Sequence, residues 1–210
     1  MPISPLITTH PTHDRNVLLS HLKSAKMDLL NKLNLPLTRT RTDERPVVVM
    51  TCGIAGSGKS TLSKALISQH PTYERLSIDN TIYSKHGLYG IDYPVEKITE
   101  YQEEAAFECE KQLRELLDKG ERNVVLDTSL YSKEDRDFFR GLVEEKGGRW
   151  ILVFFRPASK DIIWNRIERR REQGVNADSA LDITPELLDQ YWEGFENPVG
   201  EGEVVVDVVQ

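Results

Sequence analysis

Gly53-Ile54-Ala55-Gly56-Ser57-Gly58-Lys59-Ser60 is the stretch on which the reading of this chain turns. It fits G-x-x-x-x-G-K-[ST] at every fixed position, the phosphate-binding loop or Walker A motif. With glycine at roughly 7% of residues, a chance match in a chain of this length is about a one-in-a-hundred event. The flanks supply the setting the motif needs. Val47 to Cys52 (VVVMTC) is a short, mostly apolar run that reads as a buried strand, and a helix begins at Lys59 and continues from Thr61 to Gln69. Glycines let a backbone wrap a phosphate without Cβ clashes and turn N–H groups inward. The helix N-terminus adds its partial positive charge. Gly53, Ile54, Ala55, Gly56, Ser57, Gly58, Lys59, Ser60 and Thr61 are therefore the candidate nucleotide-binding residues. Lys59 is placed to reach the β- and γ-phosphates, and the Ser60 hydroxyl to ligate Mg²⁺.

Outward from the loop, short apolar runs alternate with longer amphipathic ones. Strands are expected at Arg75 to Ile78, Val124 to Leu126, Trp150 to Phe155 and Glu203 to Val209. Helices are expected at Glu96 to Lys119, Asp135 to Glu145, Ser159 to Glu172 and Thr184 to Gly194. Continuous apolar strands separated by helices imply an α/β fold whose parallel sheet is covered on both faces. Upstream, residues 1–13 carry three prolines and read as a loose tail. Leu18, Leu22, Ala25, Leu29 and Leu33 fall on one helical face opened by Asp14 and ended by Pro36. Thr38 to Pro46 reads as a polar linker, so residues 1–45 divide from a domain at 46–210. That N-terminal helix either packs in cis on the domain or mediates a dimer or partner contact.

The chain has 210 residues, 27 Lys and Arg against 34 Asp and Glu, and a net charge of −7. That balance argues against generic binding to nucleic acid or anionic membranes. No apolar run approaches the roughly 20 residues of a membrane-spanning helix. Cys52 and Cys109 have no paired spacing, and no signal-like N-terminus is seen, so a reducing, cytoplasmic setting is expected. An Asn-Lys-x-Asp run of guanine-specific enzymes is missing: the one Asn-Lys pair, Asn31-Lys32, precedes the loop and continues Leu33-Asn34. Size and spacing favour a compact phosphoryl-transfer enzyme over a large motor.

Leu76-Ser77-Ile78-Asp79-Asn80 follows Lys59 by about 20 residues. Carboxyl ends of strands in open parallel sheets face the ligand crevice. Asp79 at such an end is a candidate base for an attacking hydroxyl, or a helix N-cap, or both. Val124-Val125-Leu126-Asp127-Thr128 has the form of a second strand end, where Asp127 would hold a Mg²⁺-bound water or position the acceptor, or act as an Asx-type cap. Arg166, Arg169, Arg170 and Arg171 sit on a helix at three- and four-residue steps, suited to closing over a transferred phosphate. The polar stretch Gly174 to Ala180 is the candidate lid loop. Thr81 to Pro94, with Tyr83, Tyr89 and Tyr93, is read as a loop that could form the acceptor pocket.

Together GIAGSGKS at 53–60, LSID at 76–79, VVLDTS at 124–129, RIERR at 166–170 and Phe195-Glu196-Asn197-Pro198 resemble the compact P-loop kinases related to polynucleotide kinase, chloramphenicol phosphotransferase and zeta-toxin proteins, with an AAA-type P-loop NTPase domain. The resemblance spans Val47 to Val209. It implies a P-loop NTPase three-layer sandwich with a five-stranded parallel sheet in the order 2-3-1-4-5, preceded by the N-terminal helix. It also implies transfer of the ATP γ-phosphate to a hydroxyl, with ATP and Mg²⁺ as cofactors. By the same resemblance Lys59, Asp79, Arg166 and Arg170 are catalytic, and Ser60 and Asp127 hold the metal. Polynucleotide kinases carry an arginine three residues past the base, where this chain has Ile82. A hydroxyl-bearing small molecule is therefore the expected acceptor, ahead of a polynucleotide 5′-hydroxyl kinase or RNA-processing enzyme. A nucleotide-gated binding module with slow ATPase activity is the reading from outside the kinases.

Overall fold

In the computed structural model, the residues described are 30, 33, 35–174, 176–179 and 181–209. The expected N-terminal helix lies outside them except at Leu30 and Leu33. The strands are β1 Val47–Cys52, β2 Tyr73–Ser77, β3 Asn123–Asp127, β4 Arg149–Pro157 and β5 Val204–Val208. The helices are α1 Lys59–Gln69, α2 Ile78–His86, α3 Ile98–Lys119, α4 Lys133–Glu145, α5 Lys160–Glu172 and α6 Pro185–Gly194. All strand pairs are parallel, in the order β2-β3-β1-β4-β5.

The apolar runs explain the layering. Successive strand side chains point to opposite faces. Val47 and Val49 therefore join Leu62 and Leu66 of α1, Ile163 and Ile167 of α5 and Leu188 of α6 in one core layer. Val48, Met50 and Cys52 join Leu113 and Leu117 of α3 and Leu142 and Val143 of α4 in the other. Every residue of β1 is buried, which a strand covered on both faces requires.

Helix starts follow cap chemistry. Ser132 Oγ accepts from Asp135 N while Asp135 reaches back to Ser132 N, a capping box that begins α4 before the expected Asp135. Ser159 and Thr184 lie just outside α5 and α6 as their N-caps.

One local expectation is corrected. Residues 78–86, read partly as strand and partly as loop, form α2. Ile78, Thr81 and Ile82 are β-branched and weak helix formers, which hid the helix from the periodicity. Packing overrides them. Ser77 Oγ accepts from Asn80 N to cap the helix, and Ile82 is buried with Tyr93 and Ala105 of α3.

The polar stretch after Pro36 is tied along the domain. Arg39 donates to Asn123 Oδ1 at 2.9 Å and to Arg122 O at 2.7 Å, and Tyr73 Oη donates to Leu37 O at 2.7 Å. Leu30 and Leu37 are buried in the α1-side core.

Candidate active site

The phosphate loop spans the gap between β1 and α1 and is braced from two sides. From the β3 side, Gly53 N donates to Ser129 O at 3.0 Å and Thr51 Oγ1 to Thr128 O at 3.1 Å. From the α5 side, Arg166 Nη1 donates to Ser57 O at 2.8 Å. Gly56 has φ +81°, and a Cβ there would lie 3.0 Å from Ile167 Cγ1, so α5 packs directly on the loop. A side chain at Gly56 would meet both left-handed strain and that helix. Lys59 Nζ donates to Ile54 O at 3.0 Å, folded onto the loop it serves. Its pKa is lowered, first by burial, against the opposing pull of Asp127 and Asp79. The Ser57 hydroxyl is buried with no hydrogen-bond partner among the described residues, as is that of Thr128 at the end of β3. Buried hydroxyls left without a partner, one in the phosphate loop and one after β3, are groups a bound polar ligand could satisfy.

Asp127, the last residue of β3, pairs in register with Ser77. Ser60 Oγ donates to its Oδ1 at 3.4 Å. Its Oδ2 is held by Arg75, from Nε at 2.8 Å and Nη2 at 2.5 Å. Oδ1 and the Ser60 hydroxyl thus converge with acceptor capacity to spare, a donor set of the hard oxygen type that suits Mg²⁺.

Asp79 stands in the first turn of α2, two residues past the end of β2. Its pKa is raised. Desolvation by the cleft walls is the largest cause; Lys59 opposes it, and Asp127 and Asp178 add to it. Water still reaches the residue, so the shift marks a crowded carboxylate in an open cleft. Asp79, Lys59 and Asp127 thus share one electrostatic neighbourhood. Arg170 belongs to it too. Burial lowers its pKa while Asp79 and Asp178 pull it up. Arg169 is exposed. Arg171 turns away to Asp182 Oδ1 at 2.5 Å and Ile183 O at 2.6 Å, and its guanidinium lies 5.2 Å from the Trp164 ring centroid.

Sequence reasoning missed three charged residues here. Arg75 bridges Asp127 to Asp178, reaching Asp178 Oδ1 at 2.6 Å. Asp178 lies in the 3-10 turn Ala177–Ser179, within the stretch read as a lid, and also receives Lys64 of α1. A signal for Arg75 was available, since a charged residue two places before Ser77 on a half-buried strand needs a partner. Asp178 offered none, because acids are common in polar loops.

A glycine-lined loop between a buried strand and a helix, with a hydroxyl and a carboxylate converging beside it, defines a P-loop nucleotide-binding domain. The chain belongs to the AAA domain family, whose model matches residues 48–198. No curated protein matches it. Among solved structures, it is similar to a protein of Chloroflexus aurantiacus J-10-fl assigned as a kinase, at 20% identity and TM-score 0.62 over 78% of this chain and 85% of that one. It is similar to a chain of the Pnkp1/Rnl/Hen1 RNA repair complex, at 22% identity and TM-score 0.53 over 75% of this chain and 48% of that one. It is similar also to the APS kinase CysC of Mycobacterium tuberculosis, at 17% identity and TM-score 0.52 over 78% and 88%. At these identities the likeness is one of fold.

Proposed function

We propose that the protein is a Mg²⁺-dependent kinase that transfers the γ-phosphate of ATP to the hydroxyl of a small-molecule acceptor. The observation that carries this reading is Asp79, a carboxylate with a raised pKa in the same crevice as Lys59 and Asp127. A simple nucleotide binder has no need of a base beside the phosphates, and acceptor labelling separates a kinase from a hydrolase that uses the same carboxylate on water.

In this reading the loop backbone and Lys59 bind the β- and γ-phosphates. Ser60 and Asp127 hold Mg²⁺, which when bound neutralises charge between those phosphates. Asp79 accepts the proton of the acceptor hydroxyl. The hydroxyl oxygen forms a bond to the γ-phosphorus, the bond from that phosphorus to the bridging oxygen breaks, and ADP leaves. Arg170, which feels Asp79, stabilises charge spreading over the transferred group. Arg166 works through the loop: it fixes the Ser57 carbonyl and with it the direction of the neighbouring N–H groups. The polynucleotide reading lacks support here, since the place three residues past Asp79 holds a buried Ile82.

The test is Asp79→Asn, assayed with γ-labelled ATP and a metabolite extract, with ATP affinity measured by calorimetry. Loss of general base catalysis should lower turnover about 10²- to 10⁴-fold while ATP affinity changes little. Unchanged turnover would sink the base assignment. ATP hydrolysis with no labelled acceptor in the unmodified protein would favour the gated-ATPase reading.

A further inference from the structure

In the segment 128–131, between β3 and α4, four consecutive carbonyls each accept a hydrogen bond from another part of the chain. The first two brace β1 and the phosphate loop: Thr128 O accepts from Thr51 Oγ1 at 3.1 Å and Ser129 O from Gly53 N at 3.0 Å. Leu130 O accepts from Arg136 Nη1 of α4 at 3.1 Å and from Cys52 Sγ at 3.5 Å. Tyr131 O accepts from Glu196 N at 3.1 Å. Within this run Leu130 has φ +43°, the one non-glycine residue with a positive φ among the described residues. Its side chain is buried in the core with Cys52 and Leu142. A leucine in the left-handed region is strained, and such strain persists only where the surroundings enforce it.

The chain after α6 does the enforcing. Phe195 meets the Tyr131 ring at 5.6 Å and stacks on Phe154 of β4 at 6.0 Å. Lys133 N, at the start of α4, donates to Glu196 Oε2 at 2.6 Å. Gly194 leaves no room for a Cβ beside the Tyr131 hydroxyl. Further on, Glu201 accepts from Arg136 Nε at 2.9 Å and Nη2 at 2.8 Å, and Arg140 Nη2 lies 3.0 Å from the same carboxylate. The Arg136 fork thus has two nitrogens on Glu201 and the third on Leu130 O.

This ion pair is nearly dry, with the Arg136 side chain 1% exposed and that of Glu201 8%. Buried ion pairs are a poor source of stability, since apolar residues of similar volume often serve as well or better. What a charged, planar fork adds is direction. An apolar side chain in its place would fill the space and leave Leu130 O without its nitrogen donor.

We propose that Arg136 is a positioning residue for nucleotide binding: seated on Glu201, it grips Leu130 O and so sets the segment 128–131 from which the phosphate loop hangs at Gly53. Loop N–H groups bind phosphate only when they converge on it, so the strand end that launches them has to be held in place. This role goes beyond the kinase reading and needs only a nucleotide at the phosphate loop.

The test replaces the ion pair by apolar residues, Arg136→Met with Glu201→Leu, in the full-length protein. Urea unfolding without nucleotide shows whether it folds. Calorimetry with Mg²⁺ gives its affinity for ADP, and NMR compares amide exchange at Gly53 with that at Val49, in the middle of β1. The folded double variant should bind ADP about tenfold more weakly than the parent. Exchange at Gly53 should quicken while Val49 stays as it was. A merely structural ion pair would change stability and leave the folded protein's ADP affinity alone, so parental affinity in the folded double variant overturns the proposal. Should that variant not fold, Arg136→Lys decides. It keeps the charge and the stem, but one ammonium cannot reproduce the fork on both Glu201 oxygens and Leu130 O, so ADP should bind at least about threefold more weakly. Parental affinity there overturns the proposal equally. An unmodified protein that binds no ADP removes the site and the proposal together. One that binds ADP and labels no acceptor loses only the kinase reading.

Discussion

Arg75→Met offers the sharpest test of the charge arrangement under the crevice. The guanidinium is 11% exposed and makes two hydrogen bonds to Asp127, whose side chain is 2% exposed. Removing it strands a buried carboxylate whose remaining side-chain donor is the Ser60 hydroxyl at 3.4 Å. Loss of one partner from such a pair costs about 3–5 kcal/mol. Asp178 keeps Lys64 and adds little to the penalty. For a protein of this size each kcal/mol lowers Tm by about 2–4 °C, so the variant should melt roughly 10 °C below the parent. The cycle is completed with Asp127→Asn and the double variant, measured by urea unfolding without nucleotide or metal. Because the cost of Arg75→Met is the orphaned charge, neutralising Asp127 should return much of it, with a coupling free energy of about 2–4 kcal/mol. Single-variant effects that add within about 0.5 kcal/mol would refute the reasoning and leave Arg75 as an ordinary packed side chain.

Other consequences follow from the same geometry. Gly56→Ala forces an alanine into φ +81° with its Cβ 3.0 Å from Ile167, and should weaken ATP binding about tenfold or more by calorimetry while the circular dichroism spectrum persists. Glu201 accepts from buried Arg136 at 2.9 and 2.8 Å, and that hydrogen bonding holds its carboxyl below the ordinary 4.5. Its stabilisation is therefore complete above that value and lost as pH falls through the lower folded value, so Glu201→Gln should flatten the acid side of a stability-versus-pH curve. Asp79 runs the other way. Its raised folded pKa makes it a cost to folding at neutral pH that is relieved as pH falls, and the base role proposed for it requires the ionised form. The acid limb of kcat/KM against pH should thus lie above the ordinary 3.8, and should disappear in Asp79→Asn.

The layers of the fold were legible because they follow from local pattern. Val47 to Cys52 is apolar on both faces apart from Thr51, and a half-solvated strand would alternate instead. The phosphate loop was legible because its chemistry is carried by backbone, which glycine spacing reports directly. Strand order came from resemblance, since nothing in one strand's residues names its neighbour. The helix α2 was illegible for a different reason. Its residues have low helical propensity, and its packing partners Tyr93 and Ala105 lie 11 and 23 positions from Ile82. Arg75 and Asp178 meet across 103 positions, and no short window of sequence contains that fact.

That contact also bears on how a lid can be read. The lid was sought in its arginines, on the reasoning that cations close over phosphate. The side chain that ties the turn Ala177–Ser179 to the body is an acid, Asp178, seated on Arg75 and Lys64. Arg75 binds at the same time the carboxylate proposed to hold Mg²⁺. A cation arriving at Asp127 Oδ1 would draw on the carboxylate that Arg75 holds, and Arg75 would lean further on Asp178. On this geometry Asp178→Asn should loosen the turn Ala177–Ser179 in hydrogen exchange more in the presence of Mg²⁺ than in its absence, because the metal shifts Arg75 from Asp127 onto Asp178. Equal loosening in both states would show that Asp178 alone holds the turn, and that the crevice and the lid are not coupled through Arg75.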